Sequence, residues 1–349
     1  MSRHNGWVVL SDGAKPTEDI YFLESAVPAL REKGAQVERV VAARFFAAAR
    51  FHGPSLLRRF AGANLLLCRS LPPSWLRWLA RHRRAFSYVV YLIDDDIAAA
   101  ADDATLPAAY RQRMAGIAKR QPALLALCDE VVACSDVLAA RFSSVHQHVS
   151  VLTPPLIAPL PGLEHFDEPP SVSSPWQVGF HGTRAHLQDL LHITPALWAL
   201  LNVRQDIQCE VMLGKHTPSA LASLPNTSTS DPLPWQAFRD YQANRRVHIG
   251  LAPLLPTPFN EGKSFIKFLD IAAMGGVGIY SNRYPYTEVV RHGENGLLVG
   301  DTPDEWRAAL QQLLNNPEAT VSMARQAASD ALRVGAPRHA VDFWQARQR

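Results

Sequence analysis

The sequence contains no apolar run approaching the roughly eighteen residues of a membrane span. Its opening, MSRHNGWVVLSDG, lacks a charged start followed by a long apolar core, so no secretory signal is expected and a cytoplasmic location follows. Cysteine is scarce: Cys68, Cys128, Cys134 and Cys209 have no metal-like pairing, and buried reduced thiols are expected. The full Gly-x-Gly-x-x-Gly fingerprint is missing after the first strand, where Asp12-Gly13-Ala14 stands instead. A small-residue loop there lets backbone approach a ligand, but a dinucleotide-dependent oxidoreductase is disfavoured. The arginines come with no recognisable nucleic-acid module, so nucleic acid is not an expected partner.

What is present suits two domains. The chain has 349 residues, with 47% hydrophobic and 19% charged, enough apolar material for two cores. Residues 1–150 hold 19 Lys/Arg against 14 Asp/Glu, a balance of +5, while the remainder hold 16 against 18, or −2. The basic half is therefore the half to search for an anionic partner.

Short apolar runs alternate with helical stretches. Strands are expected at Trp7–Leu10, Val37–Val41, Asn64–Cys68, Tyr88–Ile93, Glu130–Cys134 and Val149–Leu152. Helices are expected from Thr17 to about Lys33, ended by Gly34, and from about Pro107 to Leu127. A proline-rich stretch, 156–175, reads as a linker. The alternation then restarts. Strands are expected at Trp176–Phe180, Gln208–Leu213, Val247–Leu251, Val277–Tyr280 and Gly296–Val299, with helices at 186–202, 235–244, 264–274, 286–291 and 303–315 and a last helix around Trp344. This predicts an α/β chain of two Rossmann-like domains facing each other across a cleft: 1–155, 176–330, and a terminal segment 331–349.

The segment FNEGKSFIKFLDIAAMGG, from Phe259, is the most informative. Lys263, Lys267 and Asp270 fall at spacings of four and three and would share one helical stripe. Two cations at a helix start followed by an acid suit a nucleoside diphosphate, with phosphates at the amines and ribose at the carboxylate. The alternative is an amphipathic helix with a solvated Lys–Asp face.

Together with GFHGTRAHLQDL, HIGLAPL, GIYSNRYPYTEVV, GENGLLV and DTPDEW, this segment resembles the nucleotide-sugar domain of the group 1 (family 4-like) glycosyltransferases of the GT-B fold. The resemblance runs from about Val178 to Leu314. YLIDDDI and EVVACSDVLAARF are similar to the acceptor domain of that group, and the final segment to its C-terminal helix, which returns to the N-terminal domain. The pattern departs in two places. Of the Glu, seven residues, Glu frame, Asp270 matches the second acid and the first falls on Gly262, beside Glu261. The usual Gly-Arg followed by Lys is here Gly182-Thr183-Arg184.

The resemblance implies transfer of a sugar from a nucleotide diphosphate sugar to a hydroxyl of a glycan or lipid-linked acceptor, in cell-surface polysaccharide or glycoconjugate synthesis, with no cofactor and no essential metal. It assigns Arg184, Lys263, Ser264 and Lys267 to the diphosphate and Asp270 to the ribose. Gly182, Glu261, Tyr284 and Tyr286 fall at the donor pocket. The alternative for Arg184 is a surface loop arginine, and for the tyrosines core packing. Gly275-Gly276 and Gly296 read as turns.

His181 follows a strand at the cleft mouth, where it could orient phosphate or sugar hydroxyls near neutral pH; His186 is a weaker candidate. Asp94, Asp95 and Asp96 follow YVVYLI, and one could act as general base toward the acceptor or hold the sugar. Metal binding by their Asp-x-Asp pattern and helix N-capping are the alternatives. In PPSWLRWLARHRRAF, Arg77, Arg81 and Arg84 share a helical stripe, which suits a lipid-phosphate acceptor or peripheral contact with an anionic membrane at the inner face of the cell membrane. The alternative is a surface helix with its aromatics in the core. The rival functions are a non-catalytic binding or assembly subunit of the same fold and a nucleotide-sugar epimerase or hydrolase.

Overall fold

The computed structural model describes residues 6–13, 16–45 and 47–348; Ala14 and the first five residues lie outside them. Among the described residues twelve strands form two six-stranded sheets, and every pairing of these strands is parallel. The first sheet comprises β1 (Gly6–Ser11), β2 (Gln36–Val41), β3 (Asn64–Cys68), β4 (Tyr88–Ile93), β5 (Glu130–Ala133) and β6 (Val149–Val151), in the order β2-β1-β3-β4-β5-β6. The second comprises β7 (Trp176–His181), β8 (Ile207–Met212), β9 (Thr227–Thr229), β10 (Ile249–Ala252), β11 (Val277–Ser281) and β12 (Gly296–Val299), in the order β12-β11-β10-β7-β8-β9. The central strands are apolar throughout because helices cover both faces; β1, β3 and β4 are buried at every residue. This is the architecture of two Rossmann-like domains.

Several elements depart from the sequence expectation. The helix expected over Thr17–Lys33 is a π-helical turn, Asp19–Leu23, then a helix at Val27–Glu32. Pro28 sits in the first turn of the second piece, where its missing N–H costs nothing. The Pro107–Leu127 helix likewise breaks into Ala108–Ala118 and Gln121–Leu125, with Pro122 opening the second piece. The helix Pro317–Val334 has no counterpart in the sequence reading. Its buried side is Thr320, Met323, Ala324, Ala327, Asp330 and Ala331, so mostly small residues face the core.

Residues of the proline-rich stretch pack onto the second sheet. His165 and Phe166 join Trp176 and His248 in an aromatic cluster with ring centroids 4.5–6.3 Å apart. The last helix, Pro337–Gln345, lies on the first domain. There Trp344 is fully buried against Trp7 and Phe22, and its indole N–H donates to the Tyr21 carbonyl at 2.6 Å. Among the described residues no helix is long and apolar enough to cross a membrane.

Candidate active site in the interdomain cleft

In an open parallel sheet, ligands bind beyond the carboxyl ends of the strands where the winding order reverses, because there the flanking loops diverge and leave a crevice. The reversals fall between β1 and β3 in the first sheet and between β7 and β10 in the second. Residues following β1, β7 and β10, with those following β4 next to β3, meet at one cavity of about 270 Å³, which carries Asp94, Asp95, His181, Lys263, Lys267 and Asp270 on its wall. Ser264, Gly182 and Tyr286 line it too.

From the first domain come carboxylates. Asp94 accepts from Thr17 Oγ1 at 2.6 Å and from Arg69 Nη1 at 2.5 Å. Asp95 accepts from the same Arg69 nitrogen at 2.9 Å and is 5% exposed. Three adjacent acids would repel one another; each is held by a cation instead. Arg69 is itself buried. Burial opposes its charge, but Asp94, Asp95 and Asp12 outweigh that and raise its pKa. It follows β3 directly and has φ +61°, the one non-glycine positive φ among the described residues. From there its guanidinium reaches both acids.

From the second domain come cations. Lys263 and Ser264 do not lie on the helix, which starts only at Ile266. A short helix, Pro258–Glu261, N-capped by Thr257, ends at Gly262, and the two residues occupy the turn between the helices. The shared Lys263–Lys267–Asp270 stripe is therefore corrected to a turn residue followed by a helix face. The turn is pinned by Asn260, which donates to Asp189 at 2.9 Å, and by Phe259, which inserts into the first domain's core. Lys263 Nζ lies 4.0 Å from the Phe259 ring centroid and donates to Asp95 Oδ1 at 2.5 Å, across the cleft. Burial opposes its charge, yet Asp95 outweighs it and lifts its pKa above the ordinary lysine value. Lys267 donates to Asp270 at 3.0 Å, and Gln242 holds the other Asp270 oxygen at 3.1 Å. Both amines line the cavity, and their side chains are 16% and 28% exposed. Ser264 Oγ meets Tyr21 OH at 3.2 Å across the same gap.

His181 is buried at the end of β7, with Nε2 3.0 Å from Tyr241 OH. Burial, then the Lys267 and Arg245 charges, depresses its pKa to about 3. It is neutral at physiological pH, and a neutral ring can still hydrogen-bond a ligand. His186 is tied to Asp189 at 2.9 Å.

Other expected site residues lie elsewhere. Asp96 caps the helix Ile97–Asp102 through Ala99 N at 2.8 Å and pairs with Arg141 at 2.5 Å. Its place is structural, and N-capping is the role the geometry supports. Glu261 is largely exposed and pairs with the same Arg141 at 2.9 Å, outside the cavity. Tyr284 accepts from Asp136 N at 3.0 Å and bridges the domains instead of lining the pocket. Arg184 faces a neighbouring crevice with Tyr110 and Arg113. Arg77, Arg81 and Arg84 are exposed, whereas Trp75, Trp78, Leu79 and Phe86 are buried, so the aromatics belong to the core. The sequence reading missed Arg69, Thr17, Tyr21 and Trp235, the last of which also lines the cavity. Arg69 alone left a signal: a single charge closing the apolar run Leu65–Cys68.

Neither protein-family models nor curated protein sequences match this chain. Solved structures do. Sucrose-phosphate synthase from Thermosynechococcus elongatus superposes with a TM-score of 0.70 at 14% identity, covering 98% of each chain. HepE of Anabaena, solved with UDP and glucose, gives 0.64 at 12% identity over 98% of this chain and 99% of its own. A glycosyltransferase from Rickettsia africae gives 0.59 at 10% identity, covering 100% and 98%. The likeness over nearly the whole length shows that the chain has the GT-B fold.

Proposed function

We propose that this GT-B chain is a glycosyltransferase that moves a sugar from a nucleotide diphosphate sugar to an acceptor hydroxyl. One observation carries the reading: the cavity at the two facing winding reversals joins amines from one domain to carboxylates from the other. In the reaction the bond between the anomeric carbon and the diphosphate oxygen breaks, and charge grows on the departing diphosphate. Lys263, Lys267 and Ser264 are the groups to meet it, and preorganised donors of this kind are worth about 3–4 kcal/mol each in a water-poor site. Asp270 would take ribose hydroxyls. His181, a neutral imidazole, would hydrogen-bond the sugar or phosphate. The acceptor oxygen forms the new bond, and its proton passes to Asp94 or Asp95 or to solvent beside them.

UDP is the proposed leaving group, a choice supported by the HepE structures with UDP and UDP-glucose. The reaction is proposed to need no metal; in support, Asp94, Asp95 and Asp96 already face Arg69, Lys263 and Arg141. The acceptor is proposed to be a glycan or lipid-linked sugar of a cell-surface polymer, reached from an anionic membrane on which the first domain rests. The sequence from Arg39 to Ile93 contains no acid. Exposed Arg77, Arg81 and Arg84 belong to that stretch, as do exposed Phe45 and Phe51, and this supports membrane contact.

The test is a thermal-shift and calorimetric panel of UDP, GDP, ADP and their sugars. A ligand at 100 times its Kd adds about 2.7 kcal/mol to stability, so UDP should raise the Tm by several degrees. Lys267→Ala should abolish the shift without lowering the Tm of the free protein. No shift with any nucleotide diphosphate would sink the proposal.

A further inference from the structure

Beside the cleft cavity lie two further crevices, of about 350 and 340 Å³. Thr183 is common to the cavity and the first crevice, and Arg113 to the first and the second, so the three adjoin in a row. One wall is a face of the helix Ala108–Ala118: Tyr110, Arg113, Met114 and Ile117, with Arg120 just beyond. Arg184 stands opposite, at the lip of the second domain. The two crevices are lined by Arg69, Arg113, Arg120 and Arg184 against a single acid, Asp12, which accepts from Ser70 at 3.1 Å. Among the described residues Arg113, Arg120 and Arg184 have no ion-pair partner. Arg113 is held over the Tyr110 ring, 5.1 Å from its centroid. The Arg120 Nε and Tyr110 hydroxyl are buried with no hydrogen-bond partner. Two orphaned buried donors on one wall, each costing about 1–3 kcal/mol, call for an acceptor.

We infer that this arginine-lined trough binds the anionic group, phosphate or carboxylate, of an acceptor whose hydroxyl is presented at Asp94 and Asp95. The trough reaches the acids: Arg69, on the wall of its second crevice, donates to Asp94 at 2.5 Å and to Asp95 at 2.9 Å. An anion on Arg113 and Arg120 therefore anchors the acceptor beside the reacting centre. Guanidinium groups match phosphate and carboxylate with paired N–H donors, which gives orientation as well as affinity. The word acceptor rests on the proposed transfer reaction; the anion site itself does not.

The experiment separates the two. UDP is titrated into the full chain by calorimetry. With UDP saturating, glucose, glucose 6-phosphate, and vesicles of phosphatidylcholine with or without phosphatidylinositol are then titrated against the parent and an Arg113→Gln/Arg120→Gln double variant. At least one anionic probe should bind about tenfold or more tightly than its neutral counterpart, a difference of about 1.4 kcal/mol or more. The double variant should lose that preference and keep its UDP affinity and Tm. Preference for the sugar phosphate names a soluble or chain-borne anion, and preference for the inositide vesicle a lipid-borne one. Equal binding of neutral and anionic probes, or a preference that survives the double substitution, overturns the inference. Failure of UDP to bind, with the arginine-dependent preference intact, overturns the donor reading and leaves the anion site standing.

Discussion

Lys263 has two suitors, and replacing it tests which one the site is built for. In the free protein it spans the cleft to Asp95 at 2.5 Å; in the proposed reaction it turns to the diphosphate. Lys263→Met keeps most of the side chain's length and its packing on Phe259 while removing the charge. One charge-assisted hydrogen bond to phosphate is worth about 1.5–3 kcal/mol, so the UDP Kd should rise about 10- to 150-fold. Asp95→Asn acts in the opposite sense. It removes the competitor for the amine, so UDP should bind as tightly or more tightly, while turnover falls by about 10²–10⁴ if the carboxylate takes the acceptor's proton. Isothermal titration with UDP and an initial-rate assay of UDP release read the two effects. Urea unfolding of both variants and the double variant gives their coupling. Removing one side of a buried pair costs about 3–5 kcal/mol, because the other charge is stranded, although Arg69 remains beside Asp95 to soften the loss. A Lys263→Met protein that binds UDP like the parent would refute the placement of the diphosphate, and Asp95→Asn weakening UDP would refute the competition.

Trp344→Ala should destabilise the chain by about 3–5 kcal/mol, since it empties a large buried site and strips the Tyr21 carbonyl of its donor; chemical denaturation checks this, and a loss under about 1 kcal/mol would show that the last helix is dispensable. Acid should weaken the fold through two histidines. His181 is depressed to about 3 and His248 to about 4, both by burial first, against about 6.5 in the unfolded chain. The unfolded state takes up these protons first, so their contribution is intact above about pH 6.5 and is lost as pH falls toward 4 and 3, by about 2 kcal/mol per histidine at pH 5. Urea midpoints at pH 8 and pH 5 measure the loss. His181→Gln should reduce the difference, and an unchanged difference would refute the burial argument.

The alternation of apolar runs with helical stretches made both sheets legible, because parallel strands covered on two faces carry unbroken apolar runs such as Tyr88–Ile93. Helix breaks were less legible. Pro28 and Pro122 open new helices, and periodicity ran straight through both. The Ala-rich helix Pro317–Val334 buries mainly small side chains, with Met323 the one large apolar residue on its inner face. In the site, residues directly following strands were visible, since chain order and strand ends suffice to place Asp94, Asp95 and His181. Partnerships across the cleft were not. That Arg141 would claim Glu261 depends on how two domains meet, over 120 positions of sequence separation, and its pairing with Asp96 on how the first domain folds, over 45. The Lys263–Lys267–Asp270 spacing located the right residues through the wrong geometry, because the turn at Gly262 interrupts the helix it assumed.

The polypeptide passes between its lobes twice, once through the proline-rich stretch and once just before the last helix. These passages touch: Leu156 N donates to the Gly335 carbonyl at 2.7 Å. A side chain at 335 would stand 2.9 Å from the Leu156 backbone nitrogen, so glycine permits the approach. Two covalent tethers fastened at one spot behave as a door's hinge pin and unlike a string. Such a fastening would let the lobes swing apart to admit a ligand and would keep them from drifting away or sliding past each other. Re-closure then costs little loop entropy, and the amines and carboxylates on the two leaves return to the same register after every opening.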